Sequence, residues 1–298
     1  MSVEELEILR KKANKIKQIG TLITVIAIIL GFILTKSFVL IFFVLILGLL
    51  ITTFLASGPT RKFVLAFKQT FVLKSLQSVF TDLVYKPEKG LPEFIIRDTQ
   101  MMDMGDRYSS NDYFSGKYKD ITVIQSDVHI EEEHTSTDSD GTTTTSWVTI
   151  FKGKWMIFDF NKTFKNNIQV CQKGFGNSKL SNWNSEMKYK KVMMEDQQFN
   201  KDFVVYSRDE HEAFYILTPA LIEKIKNLSN SISGRLLFCF IDNKLHIGLY
   251  DGKDSFEPNI HKKVDEEKII NEINKDIKLI TNFVDELNLD NDLFRKEV

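Results

Sequence analysis

The stretch VHIEEEHTSTDSDGTTTTSWVTIF, residues 128–151, places two histidines and three glutamates within six residues. Imidazole nitrogen and carboxylate oxygen are the ligands of zinc, and the same pairing moves protons in acid–base catalysis. On an extended strand His129, Glu131 and Glu133 share one face, while Ile130, Glu132 and His134 share the other. Residues two apart on a strand stand about 6.6 Å apart in a row, which is wide for one small ion. The helical zinc-hydrolase motif needs histidines four apart, whereas His129 and His134 are five apart on a strand. These residues therefore read as the solvated end of a β-hairpin, where charge discourages edge pairing.

A second group, Asp209, Glu210, His211 and Glu212, lies in SRDEHEAFYILTP. A histidine beside carboxylates can transfer protons. No serine elbow, cysteine–histidine signature or nucleotide loop stands nearby, so a turn between apolar segments is the plainer reading. Asp138 and Asp140 before Gly141 resemble part of a calcium loop but lack its third ligand position and distal glutamate. Gly174-Phe175-Gly176 lacks the strand–turn–helix setting of a phosphate loop. His246 reads as structural and His261 as solvated; Trp147, Trp155 and Trp183 read as core or loop anchors. No catalytic residue, metal ligand or cofactor is assigned. The alternative is a membrane-tethered hydrolase or metalloenzyme using His129, Glu131 and Glu133 or the His211 group.

The elements that carry these residues follow from composition and pattern. Lysine and arginine number 39 against 40 acidic residues, which gives no electrostatic basis for nucleic-acid binding. Cys171 and Cys239 sit in apolar runs without CxxC spacing, as buried free thiols of a reducing compartment would.

Residues 19–35 (IGTLITVIAIILGFILT) and 38–56 (FVLIFFVLILGLLITTFLA) are separated only by Lys36 and Ser37. Each approaches the ~20 residues that cross hydrocarbon. One helix through both would be about 57 Å long, nearly twice the bilayer core, so the chain must turn near Lys36, whose side chain can reach water. A signal peptide fits less well, because no small-residue cleavage site follows Thr35 and a second apolar run starts at once. Arg10, Lys11, Lys12, Lys15 and Lys17 precede the first run, and Arg61, Lys62, Lys68 and Lys74 follow the second. By the positive-inside rule both ends face the cytoplasm of a plasma (inner) membrane protein.

The expected organisation is a basic cytoplasmic tail over 1–18, a transmembrane hairpin over 19–56, an amphipathic stalk helix over 57–84 and a cytoplasmic domain over 85–298. The stalk presents Phe63, Phe67, Phe71 and Leu76 on one face, for packing on the domain rather than lying on anionic lipid. Residues 93–105 fit a short helix or a loop.

Period-two segments flank the Ser/Thr-rich tip and predict a long hairpin. IQVCQKG predicts a further strand, and FVVYS another. Thr218 and Pro219 open a helix carrying Leu221, Ile222, Ile225 and Leu228, and GRLLFCFIDNKLHIGLYDG predicts a hairpin turning at Asp242-Asn243-Lys244. Residues 264–289 form a long amphipathic helix with Ile269, Ile273, Ile277, Ile280, Val284 and Leu287 on one side. The fold class is α+β: an N-terminal transmembrane hairpin, then a mixed, mainly antiparallel sheet with flanking helices.

Three stretches carry a resemblance: FKGKWMIFDFNKTFK (151–165), VMMEDQQFNKDFVVYSRDEHEAFYILTPALIEKI (192–225) and GRLLFCFIDNKLHIGLYDGKDSFEP (234–258). Together they resemble the bacterial domain-of-unknown-function family numbered 3137, over a region from about Tyr85 to the last helix. The resemblance implies a membrane-associated bacterial protein and transfers no catalytic residue. The functional expectation is a membrane-anchored, non-enzymatic protein that contacts the bilayer through 19–56. Its cytoplasmic domain would bind an unidentified protein or lipid headgroup.

Overall fold

The computed structural model describes residues 1–159, 165–174, 189–287 and 289. Trp183, the Phe175-Gly176 pair and the FNK segment at 160–162 lie outside the described residues. The chain forms two compact units, Met1–Leu76 with Phe256–Lys275, and Gln77–Ser255 with Asp276–Val298.

In the first unit, α1 (Val3–Thr35) starts at a capping box in which Ser2 and Glu5 exchange bonds. It ends where Lys36 turns left-handed at φ 51° and donates its N–H to Phe32 O. Ser37 then caps α2 (Phe38–Phe67). The turn is thus two residues long and falls at Lys36, where the sequence places it. The helices touch through small residues: a Cβ on Gly20 would come within 2.5 Å of Thr52 Oγ1, and one on Gly48 within 2.3 Å of Thr24 Cγ2. Close backbone approach of this kind is how helices pack where no hydrophobic effect operates. Outward, Leu22, Ile26, Phe42, Phe43 and Phe54 are all exposed.

The predicted tail is the first four turns of α1 rather than a separate segment. Leu6, Arg10 and Ala13 are buried in it. Arg10 pairs with Glu7 and donates to Ile260 O at 2.8 Å, and Glu7 accepts from Val264 N at 3.1 Å. Beyond Pro59, α2 continues into a π-helical turn, Lys68–Val72, and then α3 (Leu73–Gln77). Lys68 is buried and pairs with Glu257. Phe63, Phe67, Phe71 and Leu76 are buried, as their spacing predicts, and Phe63 and Phe67 line a recess of about 270 Å³ with Pro258, Val264 and Ile269. The helix stops at Gln77, short of 84, because residues after it join the sheet.

The second unit contains a nine-stranded, wholly antiparallel sheet. Its elements are β1 (Thr81–Lys86), α4 (Glu93–Arg97), β2 (Arg107–Tyr118), β3 (Ile121–Thr137), β4 (Thr143–Asp159), β5 (Ile168–Gln172), β6 (Lys190–Val192), α5 (Gln197–Asp202), β7 (Phe203–Ser207), α6 (Glu210–Ile216), α7 (Pro219–Ser231), β8 (Arg235–Ile241) and β9 (Lys244–Tyr250). The final helix α8 (Glu266–Leu287) contributes residues to both units. Strand order is β1-β2-β3-β4-β9-β8-β5-β7-β6. The predicted hairpins are β3–β4 and β8–β9, the latter turning at Asp242 with φ 53°.

One sheet face carries Val128, Ile130, Phe151, Trp155, Ile157, Leu237 and Cys239, which pack under Leu91, Ile96, Met101 and Met102. The segment 91–104 is therefore a lid on the core, with α4 inside it. Gln169 Nε2 holds the lid in place by donating to Thr99 O at 2.9 Å and Gln100 O at 2.8 Å. On the other face Phe158 meets Phe283 of α8, and Tyr118 and Lys119 bond Asp285. Cys171 and Cys239 are free and buried, as predicted; burial pushes the Cys171 thiol up to about 12.

Candidate functional site

The structure divides the sequence-nominated residues into separate pairs. His129 Nε2 lies 3.7 Å from Glu131 Oε1 and 3.3 Å from Thr149 Oγ1, and Arg107 pairs with Glu131 at 3.4 Å. A bulge between Ile130 and Glu131 interrupts the register there. Glu133 uses its backbone, donating its N–H to Asp106 at 2.8 Å, while His134 pairs with Glu132 at 3.0 Å. Asp138, Asp140 and Gly141 form the hairpin tip, where Thr142 N donates to Asp140 at 3.0 Å and lowers its pKa.

The second group is a helix start. Asp209 caps α6 by accepting from His211 N and Glu212 N, and Glu212 accepts from Lys165 N at 2.7 Å and Asn166 Nδ2 at 2.8 Å. His211 itself is exposed. Trp147 is exposed with the Arg107 guanidinium 3.8 Å above its ring, and Trp155 is buried against Phe151.

The densest polar chemistry of the second unit lies elsewhere, inside the sheet. Lys154 on β4 stands opposite Asp127 on β3. Its side chain is 2% exposed, with Nζ 3.5 Å from Asp251 and 3.6 Å from Asp276 of α8. Burial alone would lower the Lys154 pKa, but Asp276, Asp251 and Asp127 outweigh it and hold the ammonium charged.

Asp127 is the reverse case. Burial, then a hydrogen bond with Asp254, raise its pKa well above the carboxylate range against the opposing pull of Lys154. Ser255 donates to it from both N–H and Oγ, and Gln125 Nε2 donates at 3.3 Å. Nearby, buried Asp112 accepts from Tyr85 OH at 2.7 Å and from Asn111 at 3.0 Å. A lysine held as ammonium is a poor nucleophile and a poor base. The cluster thus balances charge and ties β2, β3, β4 and α8 to the β9 exit.

The sequence carried a signal for it that pattern reading passed over. Gln125 and Asp127 continue the buried face that Ile121 and Val123 begin on β3, and Lys154 is buried within FKGKWMIF. A lone charge at an inward strand position needs a partner.

His246 completes the buried polar set and is structural, as its setting in KLHIGLY predicts. Trp155 Nε1 donates to its Nδ1 at 3.3 Å, and burial, then the charge of Lys244, lower its pKa to about 4. An unfolded histidine titrates near ~6.5, so between these values the folded chain binds fewer protons. The stabilisation is full above the unfolded value and is lost as pH falls through the interval, by up to about 3 kcal/mol. Asp127 acts with the opposite sign, its contribution falling as pH rises from the ordinary carboxylate range. His246→Gln is expected to flatten the decline of stability between pH ~6.5 and ~4, read from denaturant midpoints by tryptophan fluorescence. An unchanged slope would remove His246 from the acid response.

No curated protein matches the chain. The crystal structure of the mycobacterial trehalose monomycolate transport factor A, TtfA, is similar at 9% identity over 70% of this chain and 88% of that chain, with a TM-score of 0.36. That score is too low to carry an argument. Residues 149–289, from within β4 to the end of α8, match the family described as Protein of unknown function (DUF3137), a narrower span than the sequence resemblance covers. The FKG strand, the FVVYS strand and the LTP helix start all fall inside the matched residues.

Proposed function

We propose that the protein is a membrane-anchored binding protein. Its folded body lies on the cytoplasmic face of the plasma membrane and engages a protein or lipid-headgroup partner without chemistry of its own. The observation that carries the reading is the surface of α1 and α2 between Ile19 and Leu55, which exposes large apolar side chains and contains one charge, Lys36 at the turn. Such a surface is compatible with hydrocarbon and not with water.

Sidedness rests on the cations at the opposite ends of these helices. Arg10 and Lys68 are buried in ion pairs, but Lys11, Lys12, Lys15, Arg61, Lys62 and Lys74 are exposed. They favour the cytoplasmic leaflet, whose anionic lipids contribute about 1 kcal/mol per nearby basic residue. A binding role is favoured because the titratable groups with the most apparent chemistry are engaged in caps, clamps and buried pairs.

Protease digestion tests the placement. In bacterial spheroplasts the body is expected to survive added protease, and in inverted membrane vesicles it is expected to be cut to a short membrane-protected fragment. Digestion in intact spheroplasts would overturn the placement.

A further inference from the structure

β3 and β4 are each 17 residues long, but their neighbours end sooner. β2 follows β3 only as far as the pair Arg107↔Glu131, and β9 follows β4 only from Gly153. Beyond those points the two strands continue as a two-stranded ribbon, with Glu131↔Thr149 to Thr137↔Thr143, closed by the turn at 138–142. Each ribbon strand therefore has an open edge.

The two edges differ in chemistry. The β3 edge carries Glu131, Glu132, Glu133 and His134, and its base is covered where Asp106 N donates to Glu131 O at 2.9 Å. The β4 edge, residues 143–150, reads TTTSWVTI without a charge or a proline. Among the described residues it is paired with β3 alone, and the first cover beyond it is Gly252 N donating to Lys152 O at 3.0 Å. Eight residues extend about 26 Å, with alternate N–H and C=O groups directed outward. Edge strands are ordinarily blunted by charge, proline or shortness; this one is long, β-branched and neutral.

We propose that residues 143–150 of β4 pair antiparallel with the same residues of a second copy of the chain, so that a β4–β4 seam joins two sheets into a dimer. The choice of a second copy rests on charge and side-chain pairing. A two-fold seam brings each segment against itself, and only an uncharged segment does so without opposing like charges. A charged partner strand would meet no counter-charge on residues 143–150 themselves. Threonine also faces threonine favourably across strands, as the ribbon already shows at Thr135↔Thr145 and Thr137↔Thr143. Centred on Ser146, the two-fold, which keeps each residue on its own face of the sheet, puts Thr144 opposite the partner copy's Val148 and Thr143 opposite its Thr149. The inference is independent of the membrane placement proposed above.

The test uses the full chain in detergent and in membranes. Cysteines are introduced singly from 143 to 150 and treated with a short bis-maleimide; buried Cys171 and Cys239 keep the background low. Covalent dimers are expected to peak at the middle of the segment and to be absent for Glu133→Cys on the opposite edge. The double variant T144K/V148K, on exposed positions, is expected to lower the dimer fraction roughly tenfold by opposing lysines across the seam. Mixing it with T144E/V148E is expected to restore dimer, which no folding defect would do. A wild-type chain that is monomeric by light scattering and silent at all eight cysteines overturns the proposal, as does capture of a different protein on that edge.

Discussion

Lys154→Met is expected to cost about 3–5 kcal/mol of folding stability, the range for removing one partner from a buried ionic cluster. Its methylene stem is matched in volume by methionine, so the loss isolates the charge. Without the ammonium, Asp251, 7% exposed, loses its buried counter-charge, while Asp276, 34% exposed, keeps contact with solvent. The pKa of Asp127 is then expected to rise further, because Lys154 is among the groups holding it down. Asp251→Asn in the same chain is expected to recover part of the loss, since it removes one of the orphaned charges. Denaturant unfolding of the full chain in detergent, followed by tryptophan fluorescence, measures both. A loss under about 1 kcal/mol, the size of a surface pair, would mean the cluster does not organise the sheet.

Gly153→Ala is expected to cost at least about 3 kcal/mol, combining backbone strain with a backbone collision. Gly153 sits at φ 152° between Val128 on β3 and Tyr250 on β9. A Cβ there would lie 2.0 Å from the carbonyl oxygen of Leu249, and a strand carbonyl cannot turn aside as a side chain can. Accommodation requires β4 and β9 to part, which opens the middle of the sheet. The neighbouring Gly141, with φ 85° at the hairpin tip and nothing within 4 Å of its Cβ position, is the control. Gly141→Ala is expected to stay within about 1–2 kcal/mol, the strain of a positive φ alone. Equal midpoints for the two variants would dismiss the collision. The same geometry gives a physical reason for the glycine of the FKG stretch, which the sequence presents only as part of a pattern.

Elements whose signals are local could be read from the chain. α7 announces itself by Thr218 and Pro219, α8 by its isoleucine stripe, and the two hairpins by alternation broken at Asp-Gly and Asp-Asn. β2, RYSSNDYFSGKY, was not legible, because few of its residues are apolar and Phe114 alone is a large side chain buried to 0%. Its strand state is imposed by β1 and β3 on either side. The lid over 91–104 was equally opaque, since its methionines and leucine have no period and acquire a role only against Trp155 and Val128. The candidate residues at 129–134 followed their strand faces as read, but the bulge and Arg107 set their partners, and neither is visible locally. The buried cluster depends on residues from 112 to 276, a separation that strand periodicity cannot bridge.

The contacts of Gly20 with Thr52 and of Gly48 with Thr24 bear on biogenesis. Each apolar helix finds its packing partner in the other, across a turn of only Lys36 and Ser37. For a chain entering a bilayer, the pair can leave the translocation machinery already zipped, with no later segment needed to stabilise either helix in lipid.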